Sequence, residues 1–239
     1  MSAGAIVRTG TSGFSYKEWK GSFYPEAIAA GDMLAYYAGQ LGACEINSTF
    51  YRMPRASVLE GWDAQTPDAF RFVLKASRRI THFKRLKPEK DVGEDVAYFL
   101  SQAAALGPHL GAVLFQLPPN LKKDLPRLRA FLELLPGEAR AAFEFRHASW
   151  LDDEVFDALR EHGAALCIAQ TDEATTPVVA TAPWGYLRLR KQVYEPGELD
   201  GWAERIGGQD WAEVFVFFKH EDGAAGPRLA REFALRFAG

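Results

Sequence analysis

The sequence contains few of the residues that would indicate an oxidising compartment, a membrane or a metal cluster. Its two cysteines, Cys44 and Cys167, lie in separate strand-like segments without CxxC spacing, so we expect two buried, reduced thiols. No apolar run approaches the roughly 20 residues of a membrane-spanning helix, and no signal-peptide pattern opens the chain. We therefore expect a cytoplasmic protein with no membrane partner.

The sequence also lacks an excess of charge of one sign. It has 28 Lys and Arg against 31 Asp and Glu, a formal net charge of −3. Any binding of a polyanion must therefore depend on a local cluster of cations. The five histidines show no HxH or HExxH spacing. No metal ligands are predicted: a divalent metal is compatible with the sequence but not favoured, and no cofactor is required.

The chain alternates between short strand-like runs and segments with the 3.6-residue apolar period of a helix. Eight runs have the length and residue types of buried strands: IVRTGTSGF, ACEINSTFY, FRFVLKAS, GAVLFQLP, ARAAFEFRH, AALCIAQTD, WGYLRLR and AEVFVFFKH. Asp32, Asp124 and Asp152 each precede an apolar stripe and are predicted to cap helices. The segment EATTPVVATAP, which follows the sixth run, has no stripe and is predicted to be a loop.

This alternation predicts the α/β class and a TIM-like (β/α)8 barrel, because strands separated by helices form parallel sheets and eight of them suit a closed barrel. The length of 239 residues is enough for such a barrel to bury its own core. We therefore predict a single domain over residues 1–239. The βα unit after strand 6 is the one predicted to lack a clear helix.

Polar side chains fall on one face of most of the predicted strands. In a parallel barrel that face points to the axis, and a ligand site forms at the carboxyl ends of the strands. The residues predicted to point inward are Glu45, Asn47, Lys75, Gln116, Glu144, Arg146, Gln170, Asp172, Arg188, Arg190 and Lys219. Cations outnumber carboxylates in this set, and the planar guanidinium of arginine matches phosphate or carboxylate groups. The set predicts an anion site, or alternatively a closed ion network that only stabilises the barrel.

Candidate roles follow from residue type and from position at the strand ends. Glu45 or Glu144 is predicted to be a general base, and His82 a candidate acid. Predicted ligand contacts are Asn47, Lys75, Gln116, Arg146, Arg188 and the rim aromatics Tyr16, Trp19 and Tyr51. The ligand is expected to be a small anion that bears a phosphate. Hydrolysis, proton transfer of the isomerase type and binding without catalysis all remain open, and so does the oligomeric state.

Residues 78–90, RRITHFKRLKPEK, form the only strong basic run of the chain. Together with the rim aromatics, this basic loop favours an alternative function, a non-catalytic nucleic-acid-binding or adaptor module. A solvated charged loop would have the same composition.

The sequence resembles the YecE-like family, domain of unknown function 72, over nearly its full length. The resemblance rests on GTSGFSYKEWKGSFYP, EINSTFYRMP, FRFVLKASRRITH, LFQLPPN, FEFRHASW and a weaker YLRLR, in that order. It implies a TIM barrel but no established reaction. The family's shared positions then include Glu45, Asn47, Lys75, His82, Gln116, Glu144, Arg146 and Arg188. The chain departs from the family pattern at Arg190, and at Lys219 and His220 after the last strand.

Overall fold

The structure is a computed structural model that describes residues 4–52, 54–195, 197–219 and 222–237. Eight parallel strands follow one another in chain order around a closed barrel, and the last strand pairs with the first. They are β1 (Ile6–Ser12), β2 (Ala43–Ile46), β3 (Arg71–Lys75), β4 (Leu110–Gln116), β5 (Ala141–Glu144), β6 (Ala165–Gln170), β7 (Trp184–Leu189) and β8 (Glu213–Phe218). The predicted α/β barrel is confirmed, and each strand lies within its predicted run except β4, which begins one residue earlier, at Leu110.

Helices lie on the outside of the barrel. They are α1 (Met33–Ala38), α2 (Ala56–Asp63), α3 (Val92–Ala103), α4 (Leu125–Leu132), α5 (Asp153–Glu161), α6 (Glu198–Gly207) and α7 (Ala225–Ala234). Within the described ranges, no helix combines the length and the apolar character needed to cross a membrane.

Two of the three predicted helix caps form. Asp124 accepts a hydrogen bond from the backbone N–H of Arg127, and Asp152 accepts one from that of Glu154. The side chain of Asp32 makes no such bond at the start of α1. A short 3₁₀ turn runs directly into that helix, so Asp32 has helical backbone angles instead of the extended ones of a capping residue.

Alternation along the strands divides the buried side chains into two layers. Phe72, Leu74 and Phe143 belong to the outer layer, which packs against the helices. The inner layer fills the axis with Val73, Leu114, Cys167, Tyr186, Phe215 and Phe217 among others. Because these side chains close the middle of the barrel, polar residues at the carboxyl ends of the strands face only the mouth. Both cysteines are buried free thiols, as predicted.

The connection from β6 to β7 contains no helix, as predicted, and residues 171–183 run in extended and bent conformations. However, the prediction of which β6 side chains face the barrel axis was wrong. Leu166 and Ile168 pack outward and Cys167 packs inward, so Gln170 also points outward, where it accepts a hydrogen bond from Trp202 Nε1 at 2.8 Å. Asp172 lies beyond the strand and is exposed, so the prediction that Gln170 and Asp172 point into the barrel is wrong.

Candidate functional site

Three ionic side chains from β2, β5 and β7 meet inside the barrel mouth. Arg188 Nη2 donates to Glu45 Oε1 at 2.8 Å, and Arg188 Nη1 donates to Glu144 Oε2 at 2.5 Å. The exposed fractions of Glu45, Glu144 and Arg188 are 0%, 5% and 1%. Charges buried this deeply need partners, and the arginine fork supplies one to each carboxylate.

Further donors occupy the same carboxylates. Ser12 Oγ donates to Glu45 Oε1 at 2.8 Å, Tyr186 OH donates to Glu45 Oε2 at 2.6 Å, and Gln116 Nε2 donates to Glu144 Oε2 at 2.8 Å. Burial raises the pKa of Glu45, but the charge of Arg188 and the hydrogen bonds from Tyr186 and Ser12 outweigh it and lower this pKa to about 2. Burial also raises the pKa of Glu144, but the charge of Arg188 and the hydrogen bond from Gln116 outweigh it and lower this pKa. Both carboxylates are therefore ionised at neutral pH.

Ser12 and Tyr186 were not predicted as site residues. Tyr186 could have been found, because it alternates with Arg188 on the inward face of WGYLRLR. Ser12 gave no local signal, since its role depends on the pairing of β1 with β2, which aligns Ser12 with Glu45.

Lys75, at the end of β3, has no carboxylate partner among the described residues. Its Nζ donates to Gln116 Oε1 at 2.8 Å and lies 4.3 Å from the ring centroid of Phe50. Burial and the charge of Arg188 lower the pKa of Lys75 from 10.5 to about 8, against the opposing effect of the two carboxylates. An amine in this state can exchange a proton near neutral pH.

His82 lies in a π-helical turn, Arg79–Phe83, that follows β3, and its ring contacts the same Phe50 ring as Lys75. Its Nδ1 is 2.9 Å from Thr81 Oγ1, and its ring packs edge-on against Phe50 at 4.9 Å between centroids. Burial, followed by the charges of Lys75, Arg146 and Arg85, lowers the pKa of His82 below 6.5. The imidazole is therefore mainly neutral at pH 7.

Two arginines at the mouth have no carboxylate partner in the part of the chain that the structure describes. Arg146 is exposed just beyond the end of β5, so it lies past the strand on which it was predicted. Arg190 is half-buried after β7, and its Nε is enclosed without a hydrogen-bond partner. Burial and the charges of Arg188 and Arg146 lower the pKa of Arg190. Lys219 is half-buried just past β8, and His220 lies outside the described residues.

The predicted aromatic rim is only partly present. Tyr51 is 68% exposed, but Trp19 is fully buried against Phe23 and Tyr24, so its prediction as a ligand-stacking ring is wrong. The long first loop needs Trp19 as its own core. Tyr16 is half-buried and, together with Asn47, lines a cavity of about 270 Å³ beside the mouth. Asn47 Nδ2 also donates to Glu45 Oε1, at 3.3 Å.

The basic loop, residues 78–90, is partly neutralised by neighbouring carboxylates. Arg79 and Lys84 both pair with Asp95 of α3, at 2.8 and 2.9 Å, and Lys87 pairs with Glu89 at 3.2 Å. This pairing reduces the positive field that a polyanion would meet.

Among the described residues, no group of three or more His, Cys, Asp or Glu side chains could hold a metal ion.

Curated relatives and solved structures are similar to this chain. The UPF0759 protein YecE of Escherichia coli (strain K12) is 31% identical over 182 residues, which span 66% of each protein. The UPF0759 protein YunF of Bacillus subtilis (strain 168) is 26% identical over 213 residues, covering 83% of this chain and 74% of that protein. The chain thus spans about two thirds to three quarters of these relatives.

Crystal structures of DUF72 family proteins share the fold. The one from Thermotoga maritima superposes with a TM-score of 0.85 at 26% identity, covering 98% of this chain and 100% of the other. The one from Enterococcus faecalis V583 superposes with a TM-score of 0.72 at 19% identity, covering 97% and 98%. A family model described as "Protein of unknown function DUF72" matches residues 8–239. The chain therefore belongs to the DUF72 family, as its motifs predicted.

Proposed function

We propose that the barrel mouth binds a small anionic ligand that bears a phosphate and promotes a proton transfer on it. The observation that carries this proposal is the pair of arginines, Arg146 and Arg190, that lack carboxylate partners among the described residues. An enclosed guanidinium without a partner costs free energy, and a bound anion supplies the missing acceptor. Lys75 lies close enough to add to the same positive field.

The proposal changes the role of the two carboxylates. A general base works best when its pKa lies near the operating pH, and Glu45, with a pKa of about 2, is a weak base. Glu45 and Glu144 instead hold Arg188 in place. His82 is the proposed proton-transfer group, because its imidazole is mainly neutral at pH 7 and contacts the same Phe50 ring as Lys75.

The test is thermal unfolding in the presence of inorganic phosphate and a panel of sugar phosphates. A ligand at a hundred times its dissociation constant adds about 2.7 kcal/mol, which raises the melting temperature by roughly 5 to 10 °C in a domain of this size. Arg146→Gln and Arg190→Gln should each weaken the affinity about tenfold or more. Arg228→Gln is the matched control, because Arg228 is exposed and paired with Glu232 at 2.8 Å. Equal affinities in Arg190→Gln and wild type would contradict the proposed site.

One observation favours the alternative, binding of single-stranded nucleic acid. Tyr51 and Phe83 are 68% and 63% exposed, and the guanidinium carbon of Arg78 lies 5.6 and 5.3 Å from their ring centroids. Exposed rings beside an arginine can stack on bases. This alternative predicts an affinity that falls steeply with salt and depends on Tyr51 and Phe83 but not on Arg190. Fluorescence anisotropy with a labelled oligonucleotide, in 50 and 200 mM salt, distinguishes the two functions.

A further inference from the structure

We propose that the Lys75 amine is a nucleophile that condenses with the carbonyl carbon of an anionic aldehyde or ketone to form an imine at the barrel mouth. This inference rests on the proposed anion site and names the substrate class of that site: a small carbonyl compound with a phosphate group.

The geometry holds the Lys75 amine in one place without neutralising it. Gln116 Nε2 donates to Glu144 Oε2 at 2.8 Å, so Gln116 Oε1 must face Lys75, and it accepts from Nζ at 2.8 Å. A neutral amide oxygen stabilises an ammonium much less than a carboxylate does. Phe50 covers another side of the amine, at 4.3 Å from Nζ to the ring centroid. The Lys75 amine is therefore held in a defined orientation and partly shielded from water. It forms no ion pair with any described carboxylate.

The charges around Lys75 favour its neutral form. Burial and the charges of Arg188 and Arg190 disfavour the ammonium, while Glu45 and Glu144 favour it but are themselves bound by Arg188. The pKa of about 8 leaves about a tenth of the amine neutral at pH 7, compared with about one part in 3,000 for an ordinary lysine. Nucleophilic lysines in enzymes are activated in this way, by desolvation and by neighbouring cations.

The step is balanced without an oxidant or a reductant. The lone pair of Nζ forms a C–N bond as the carbonyl π electrons move to oxygen, which takes up a proton while nitrogen loses one. The hydroxyl of this carbinolamine then takes a second proton and leaves as water, and the nitrogen lone pair forms the C=N bond. His82 contacts the same Phe50 ring as Lys75 and feels the charge of Lys75, so it is the group proposed to carry these protons. The protonated imine can then accept electrons from a neighbouring C–H or C–C bond.

The experiment is reductive trapping of the whole protein with cyanoborohydride, using glycolaldehyde phosphate and the neutral glycolaldehyde as a matched pair of probes. Intact mass and peptide mapping locate the adduct. We expect one adduct per chain, on Lys75, formed at least tenfold faster with the phosphorylated probe. Lys75→Arg keeps a cation at this position but should lose the adduct, and a single cooperative thermal transition of this variant would show that the loss is not caused by misfolding. Lys123→Met is the control, because Lys123, in the loop between β4 and α4, is a lysine paired with Asp152 and Glu154.

The outcomes separate the imine from the anion site. Labelling spread over surface lysines and unchanged in Lys75→Arg would overturn the imine, even where phosphate still raises the melting temperature. Labelling confined to Lys75 with equal rates for both probes would support the imine and overturn the anion site. If Arg190→Gln still forms the adduct but loses the preference for the phosphorylated probe, the result would support both the imine at Lys75 and the anion site.

Discussion

The Glu45 side chain uses both carboxylate oxygens inside the barrel. Ser12, Asn47 and Arg188 donate to Oε1, and Tyr186 donates to Oε2. A carboxylate with this many donors has little capacity left to accept a proton from a substrate. The observed partners show that Glu45 pairs with the charge of Arg188 and restrains its orientation.

Replacing Glu45 with Gln should lower the free energy of unfolding by about 3–5 kcal/mol at pH 7, because a buried Arg188 loses one of its two charge partners. The folded-state pKa of about 2 lies below the ordinary 4.5, so this stabilisation is complete above pH 4.5 and is lost as the pH falls towards 2. Urea unfolding between pH 2 and 7 measures the difference between wild type and Glu45→Gln. The exposed Glu89→Gln is the control and should leave the stability almost unchanged. A difference that does not depend on pH would contradict this account.

The Lys75 amine should show its own dependence on pH. Its trapping rate with glycolaldehyde phosphate should rise about tenfold per pH unit below 8 and level off above it, because only the neutral amine reacts. Arg188, Arg190, Glu45, Glu144 and His82 are the charged or titratable groups that act on this amine. Arg190→Gln removes one repelling cation and should move the midpoint to higher pH. A midpoint near the ordinary lysine value would show that the amine is not activated.

Among the secondary-structure elements, the connection between β6 and β7 shows how a barrel can lack one helix. Residues 171–183 run along the outside, where Val178 and Val179 pack against the core. Thr181 Oγ1 accepts from the backbone N–H of Leu166 at 2.7 Å and donates to the carbonyl of Ala164 at 2.8 Å. One buried hydroxyl therefore joins the loop to the start of the strand.

Thr181→Val should destabilise the protein by about 1–3 kcal/mol, because the buried N–H of Leu166 and the carbonyl of Ala164 lose their partner while the side-chain volume stays the same. Thr175→Val, in the same loop but exposed, should change stability by about 0.5 kcal/mol or less. Urea denaturation of the two variants measures the contrast. Equal stabilities would show that Thr181 does not hold this loop in place.

Considering the whole molecule, closure of the barrel joins the first strand, β1, to the last strand, β8. At the opposite end from the mouth, Glu213 of β8 pairs with Arg8 of β1 and with Arg140, whose guanidinium carbon lies 4.7 Å from the Trp184 ring centroid. These contacts join β8 to β1, and each strand pairs with two neighbours, so no strand can separate without opening the ring.

We therefore expect residues 1–239 to unfold as one cooperative unit, in agreement with the single-domain prediction. Tryptophan fluorescence and far-UV circular dichroism should give coincident urea transitions, and the calorimetric and van't Hoff enthalpies should agree. Two separated transitions would contradict the single-domain prediction.

Much of this architecture could be predicted because it depends on local periodicity. The alternation around Glu45, Lys75, Glu144 and Arg188 placed them on the inner face, since a strand repeats every two residues. It was harder to predict which side chains face the axis where small residues fit either layer. For that reason Gln170 was placed on the wrong face of β6. Trp19 was misplaced because a loop sequence does not reveal which of its rings will be buried.

Local periodicity was enough to predict a barrel of eight strands, a βα unit without a helix after strand 6, and charged side chains at the mouth. How these charged side chains pair could be seen only in the folded barrel. Arg188 holds both carboxylates, Lys75 holds only an amide, and Arg146 and Arg190 hold no described carboxylate. The reason is physical: pairing depends on distances between the ends of strands far apart in the chain, and the folded barrel sets those distances.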